Sequence, residues 1–141
     1  MNTILLSIGS NTYAKTNIDK AKRMLTTTFE QIQFSEPILS EPDDDRYKYL
    51  FRNILAIART NMTQEEIIDK TKTIERAVGR TPRDKYSGKM VIDIDLLQFN
   101  NDVLRPEDME KIHIQRLLEI FVIEEFPEYE EKDSDESKTD K

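Results

Sequence analysis

Apolar residues in this chain come in short blocks whose period switches between two and about 3.6. That switching restricts the fold more than any other feature of the sequence. Residues 3–9 (Thr-Ile-Leu-Leu-Ser-Ile-Gly) are short, aliphatic and closed by Gly9-Ser10-Asn11, which predicts a buried strand ending in a turn. Ile18, Ala21, Leu25 and Phe29 then recur at helical spacing, which predicts a helix from about Asn17, its N-cap, to Thr28. Residues 31–39 read as a second strand, and Ser40-Glu41-Pro42-Asp43-Asp44-Asp45 as a loop with nothing to bury. Over residues 47–59, Tyr47, Tyr49, Phe51, Asn53, Leu55 and Ile57 share one face of a long strand. Thr63 and Glu66 form a capping box, with Met62 placed to staple onto Ile67. Ile67, Thr71, Ile74 and Val78 make the buried stripe of that helix, and Gly79 stops it. A last strand runs from Met90 to Phe99, and a weaker helical stretch covers about 107–119.

The order strand, helix, strand, strand, helix, strand predicts an α+β fold. It is a ferredoxin-like sandwich with a βαββαβ core and two helices on one face of an antiparallel sheet. The 141 residues suffice for one domain. Its expected extent is 1–123, followed by an acidic tail, 124–141, that is too charged to bury a core and is expected to be disordered. That tail holds nine acids and three lysines, so most of the net charge of −7 sits in it. The near-neutral body lacks the basic face of a nucleic-acid binder. With no cysteine there is no disulfide framework, thiolate zinc site or cysteine nucleophile. No apolar run approaches the roughly 20 residues of a membrane span, and the first residues lack the basic region of a secretory signal. A soluble, cytoplasmic protein is the expectation, and a monomer.

Chemistry concentrates in Ile92-Asp93-Ile94-Asp95-Leu96. Two carboxylates at i and i+2 share one strand face, their Cα atoms about 7 Å apart. Like charges side by side among apolar neighbours need neutralising. A hard divalent cation does this, and magnesium typically takes one or two carboxylates plus phosphate oxygens. The competing reading is a solvent-facing strand with two ordinary acids. Arg80, Arg83, Lys85 and Lys89 precede the pair on a loop with Pro82 and Gly88. Such a loop suits polyphosphate oxygens, or is simply solvated. No Gly-x-x-x-x-Gly-Lys-Ser/Thr segment exists, so this is not a P-loop protein. Asn53, an amide on an apolar strand face, reads either as the reader of a heterocycle edge or as a cap on a backbone group. His113 is the single histidine, and on a helix it has an ordinary surface role as its other reading.

Several segments, in order and spacing, resemble the 6-hydroxymethyl-7,8-dihydropterin pyrophosphokinase family. These are Ile4-Leu5-Leu6-Ser7-Ile8-Gly9-Ser10-Asn11, Ser35-Glu36-Pro37-Ile38-Leu39-Ser40-Glu41-Pro42, Phe51-Arg52-Asn53 and Ile74-Glu75 with Gly79-Arg80. Asp93-Ile94-Asp95-Leu96-Leu97, His113 and Phe121-Val122-Ile123 complete the set. The resemblance covers about residues 4–123. It implies transfer of the terminal pyrophosphate of ATP to the hydroxymethyl group of the pterin in folate biosynthesis, with release of AMP. It also implies two magnesium ions on Asp93 and Asp95, with Arg80 in the catalytic set. Pterin binding falls to Ser40, Pro42, Phe51, Asn53 and Phe121. Nucleotide binding falls to Glu75, Arg80, Arg83, Lys85, Lys89 and His113. The chain departs from the family pattern at Pro82, Ser87, Met90, Ile112 and Glu119, where the family carries arginine, tryptophan, arginine, proline and arginine. Those changes weaken the nucleotide clamp and leave open a second reading, a non-catalytic relative that binds pterin or nucleotide without turnover.

Overall fold

The computed structural model describes residues 1–127, apart from the side chain of Lys85. Strand β1 (Asn2–Ser10) is the middle of a six-stranded sheet of order β2-β4-β1-β5-β6. The other strands are β2 (Gln31–Phe34), β3 (Ile38–Ser40), β4 (Phe51–Thr60), β5 (Asp93–Phe99) and β6 (Asp102–Val103). Every pairing is antiparallel, and β3 extends the β2 edge of β4. The helices are α1 (Ala14–Thr28), α2 (Gln64–Val78), α3 (Asp84–Ser87), α4 (Pro106–Met109) and α5 (Ile112–Ile120). The antiparallel α+β architecture expected from the sequence is present.

The pleat sorts the core into two layers. Ile4, Leu6, Ile8, Ile54, Ala56, Ile94 and Leu96 point to one face, under Ile18, Ala21 and Leu25 of α1 and Ile67, Ile74 and Val78 of α2. On the other face Leu5, Leu55 and Leu97 pack against Ile114 and Leu117 of α5 and against Phe121. The sheet is therefore covered on both sides, whereas the sequence reading put helices on one face only.

The capping box forms as expected. The Glu66 amide donates to Thr63 Oγ1 at 3.2 Å and the Thr63 amide to Glu66 Oε1 at 2.8 Å. Elsewhere the boundaries move for identifiable reasons. Helix α1 starts three residues before Asn17, after Tyr13 in the left-handed region (φ 43°). Asn17 is buried inside the helix, with its amide donating to the Thr12 carbonyl at 2.6 Å rather than capping. The expected strand over 31–39 breaks at Ser35, whose hydroxyl accepts the Leu55 amide at 2.8 Å. The register there moves from Phe34↔Ala56 to Ile38↔Asn53, one residue more on the outer strand, as in a β-bulge. Tyr47 and Tyr49 lie outside β4, and Tyr47 meets Phe51 edge-on at 5.3 Å between ring centres. Met90–Ile92 leads into β5 without belonging to it. The helix expected over 107–119 is two helices, α4 and α5. The β5–β6 hairpin, turned by Asn100 at φ 54°, was not anticipated.

The tail begins on the molecule's surface. Gln33 clasps residue 124, its Nε2 donating to the Glu124 carbonyl at 2.5 Å and its Oε1 accepting the Glu124 amide at 2.7 Å. Of the tail expected to be disordered, 124–141, residues 128–141 lie outside the described residues. Among the described residues no helix is long and apolar enough to cross a membrane.

Candidate functional site

The α5 face of the sheet changes character along β1. Leu5 lies beneath α5, while Ser7 and Gly9, further along the same face, do not. The register makes two polar rows. Ser7 lies opposite Asp95 on β5 and Leu55 on β4; Gly9 lies opposite Asp93 and Asn53. Asp93 and Asn53 are thus two strands apart across a glycine, about 10 Å at the Cα atoms. Gly9 keeps that floor open, since a Cβ on it would sit 3.1 Å from Asn53 Oδ1.

Above these rows is a cleft of about 330 Å³, walled by Ser40, Phe51 and Tyr47 on one side and by Met90 and Arg105 on the other, with His113 at the start of α5. It continues into a hollow of about 520 Å³ bounded by Leu39, Pro42, Leu50, Ile112 and Arg116. The 41–50 loop and the segment before β5 meet beside it, the Lys48 amide donating to the Gly88 carbonyl at 3.4 Å. Gly88 has φ 76°, and a Cβ there would come within 2.9 Å of the Arg46 carbonyl.

Two polar staples hold the segment that precedes the aspartates. Asn11 is buried; its Oδ1 accepts the Met90 amide at 2.6 Å and its Nδ2 donates to the Gly88 carbonyl at 3.3 Å. Buried Asp84 accepts from the Thr81 hydroxyl at 3.1 Å and from the Val91 amide at 3.3 Å. The basic stretch is thus a pinned turn carrying α3. Neither staple was singled out in the sequence, because Asn11 reads there as a turn residue and Asp84 as one charge among many.

Asp93 and Asp95 share the cleft floor, as the alternation predicts. Arg80 Nη1 lies 3.0 Å from Asp93 Oδ1 and 3.0 Å from Glu75 Oε2. Glu75 is 3% exposed, and its Oε2 also accepts the Ile94 amide of β5 at 2.7 Å. Burial raises the Glu75 carboxyl above its usual range, against the lowering effect of the Ile94 bond and the Arg80 charge. Burial, then the neighbouring Asp93 charge, pushes Asp95 up to about 7, with Arg105 opposing. Added positive charge beside the pair would relieve this cost. Among the described residues no cluster of three or more metal-ligating side chains occurs, so a cation here would take two carboxylates and fill its shell with water or phosphate oxygens. That donor set, all oxygen and incomplete, fits magnesium.

Asn53 donates to Ser40 Oγ at 2.8 Å across the β3–β4 pair, which sets its amide at the cleft edge. His113 is pushed below its usual pKa, first by burial and also by Lys111, so it is neutral at pH 7 although Asp43 and Asp108 oppose the shift. Of the residues singled out in the sequence, Ser40, Phe51, Asn53, Asp93, Asp95 and His113 meet in the cleft, and Pro42 lines the adjoining hollow. Glu75 and Arg80 stand outside the lining, behind Asp93. Arg83 and Lys89 are solvent-exposed and outside it. Phe121 packs with Leu5 and Leu117, also outside it.

Residues 5–125 match the family described as 7,8-dihydro-6-hydroxymethylpterin-pyrophosphokinase. The chain is also 31% identical over 114 residues to the 2-amino-4-hydroxy-6-hydroxymethyldihydropteridine pyrophosphokinase of Aquifex aeolicus (strain VF5), covering 80% of this chain and 71% of that protein.

Proposed function

Because the chain belongs to the 7,8-dihydro-6-hydroxymethylpterin-pyrophosphokinase family, we infer that its cleft transfers pyrophosphate from ATP to 6-hydroxymethyl-7,8-dihydropterin, a step of folate biosynthesis. The observation that carries the site assignment is the pair of rows on the sheet floor. Asp93 and Asp95 stand on one side of Gly9 and Asn53 on the other. A flat heterocycle read at its edge by Asn53, between Ser40 and Phe51, would direct its hydroxymethyl arm across Gly9 toward the two carboxylates. The strand order and the βαββαβ succession support the ferredoxin-like assignment.

In the reaction the substrate hydroxyl oxygen loses its proton to solvent and bonds to the β-phosphorus of ATP, the bond between that phosphorus and the α,β-bridging oxygen breaks, and AMP leaves with the bridging oxygen. Asp93 and Asp95 would hold magnesium, which would supply charge neutralisation of the phosphate oxygens. The chain's residues do the positioning. Arg80, fixed by Glu75, orients the Asp93 carboxylate. The bond from Ile94 to Glu75 locks that assembly to β5. Neutral His113 donates or accepts a hydrogen bond at the phosphate side without adding charge. Catalysis of this kind is mostly alignment and electrostatics, because phosphoryl transfer asks little covalent chemistry of the protein.

The test is product analysis after incubation with ATP, magnesium and hydroxymethyl-dihydropterin. AMP and the pterin pyrophosphate are expected in equal amounts. ADP in place of AMP would contradict the reading, as would AMP released without pterin.

A further inference from the structure

Three of the four cations that precede the aspartates in sequence, Arg80, Arg83 and Lys89, are absent from the cleft lining. The cationic side chains that do line it, among the described residues, are Arg46, Arg105 and Lys111. Each is held by a carboxylate of the same cleft. Arg46 Nη2 is 2.9 Å from Asp44, Arg105 Nε pairs with Asp108, and Lys111 Nζ is 3.0 Å from Asp43 and 2.9 Å from Asp108. Six carboxylates (Glu41, Asp43, Asp44, Asp93, Asp95 and Asp108) face those three cations. An acid-rich cleft holds its cations internally until a better anion arrives.

The Lys111 pair differs from the others in what it joins. Asp43 belongs to the 41–50 loop and Lys111 immediately precedes α5, so the ion pair ties a wall of the cleft to the helix that bears His113. Both partners are partly exposed, 38% for Lys111 and 55% for Asp43, so the pair is weak and exchangeable. A phosphate oxygen offers Lys111 more charge than one carboxylate does, and a guanidinium joined to Asp108 through Nε has further donors for a second phosphate oxygen.

We propose that Arg105 and Lys111 bind the phosphates of the nucleotide in this cleft, with Asp43 as the internal anion that the phosphate displaces from Lys111. The proposal rests on the pyrophosphokinase reading and says which cations of this chain do the work where Glu119 has replaced the family's arginine. It also makes nucleotide binding release the 41–50 loop from α5.

Binding of the magnesium complex of α,β-methylene-ATP, measured by calorimetry, tests it, with 6-hydroxymethylpterin titrated separately and thermal melting as the fold control. Lys111→Gln and Arg105→Gln should each weaken nucleotide binding by about tenfold or more, the scale of a lost charge-assisted hydrogen bond. Asp43→Asn should tighten it by about two- to fivefold, by removing the competitor. Pterin affinity should stay at the wild-type value in the Lys111 variant. Unchanged nucleotide affinity in Lys111→Gln or in Arg105→Gln overturns the proposal. So does weakening by Asp43→Asn, because a purely structural tie would lose affinity from either end. A wild-type chain that binds no magnesium nucleotide at all defeats the pyrophosphokinase reading, and the proposal with it.

Discussion

Asp95 is a residue kept against its own electrostatic cost. Its carboxyl is raised from 3.8 to about 7 by burial and by Asp93, so the folded chain binds more protons than the unfolded chain between those values. Stability then falls as pH rises from about 4 to about 7, and the full penalty is present above 7. In metal-free buffer at pH 8, Asp95→Asn should therefore be more stable than the wild type, by about 2 kcal/mol in urea denaturation. The gain should vanish near pH 4, and the variant should release no AMP. A variant less stable than wild type at pH 8 would show that the site carries no such strain. Gly9 makes the opposite kind of test. Alanine there brings a Cβ to 3.1 Å from Asn53 Oδ1, which must shift by a few tenths of an ångström. Gly9→Ala should fold, yet bind 6-hydroxymethylpterin about tenfold more weakly, the scale of one impaired buried hydrogen bond. Equal affinity by calorimetry would place the heterocycle elsewhere. Residue alternation alone put Asp93 with Asp95, and Asn53 among apolar neighbours. It did not disclose Arg105 and Lys111, because they reach the cleft only through the packing of α5 on the sheet and the turn before α4.

At the scale of elements, α2 and β5 are joined by Glu75, which accepts from the Ile94 amide and pairs with Arg80. Glu75→Ala leaves a buried strand amide without its acceptor and Arg80 with Asp93 alone, so about 2–4 kcal/mol of stability should be lost in chemical denaturation. Glu75→Gln retains an acceptor oxygen and should lose less; equal losses would mean that volume and not the hook matters. Helix α5 carries a parallel test. Leu117 is fully buried between α5 and the sheet, and Leu117→Ala should cost about 2–5 kcal/mol. A loss under 1 kcal/mol would show α5 to be loosely docked. Helix α2 was legible from end to end because its start, stripe and stop are local signals: Thr63 and Glu66, the apolar spacing, and Gly79. The break at Ser35 was not, because it depends on a partner distant in sequence, and neither was the break between α4 and α5. The Ser35 hydroxyl answers an amide twenty residues away, and the single stretch 107–119 reads as one helix until Lys111 is seen in extended conformation (ψ 144°) before Ile112. The second packed face was missed for the same reason, since Leu5, Leu55 and Leu97 find α5 only in three dimensions.

For the whole molecule, the account is that one sheet is closed by helices on both faces and left open over two polar rows. On the proposed reading, those rows hold the reacting ends of the two substrates together. Covering the α1 and α2 face gives the stable layer. Ending α5 short of Gly9, Asn53 and the aspartates leaves the working layer exposed to ligand. Met90, the carboxylate pair and Asn53 line the cleft, while Pro82 and Glu119 lie outside its lining. The central claim is thus that this cleft performs pyrophosphoryl transfer and does not merely hold its ligands. Quantifying AMP by chromatography, from reactions of wild type, Asp95→Asn and Asn53→Ala with ATP, magnesium and hydroxymethyl-dihydropterin, tests it most directly. The expected result is AMP formed in step with pterin pyrophosphate by the wild type, none above background from Asp95→Asn, and AMP from Asn53→Ala only at raised pterin concentration. AMP formation by Asp95→Asn at the wild-type rate, or none by a wild-type chain that binds both ligands, would contradict it.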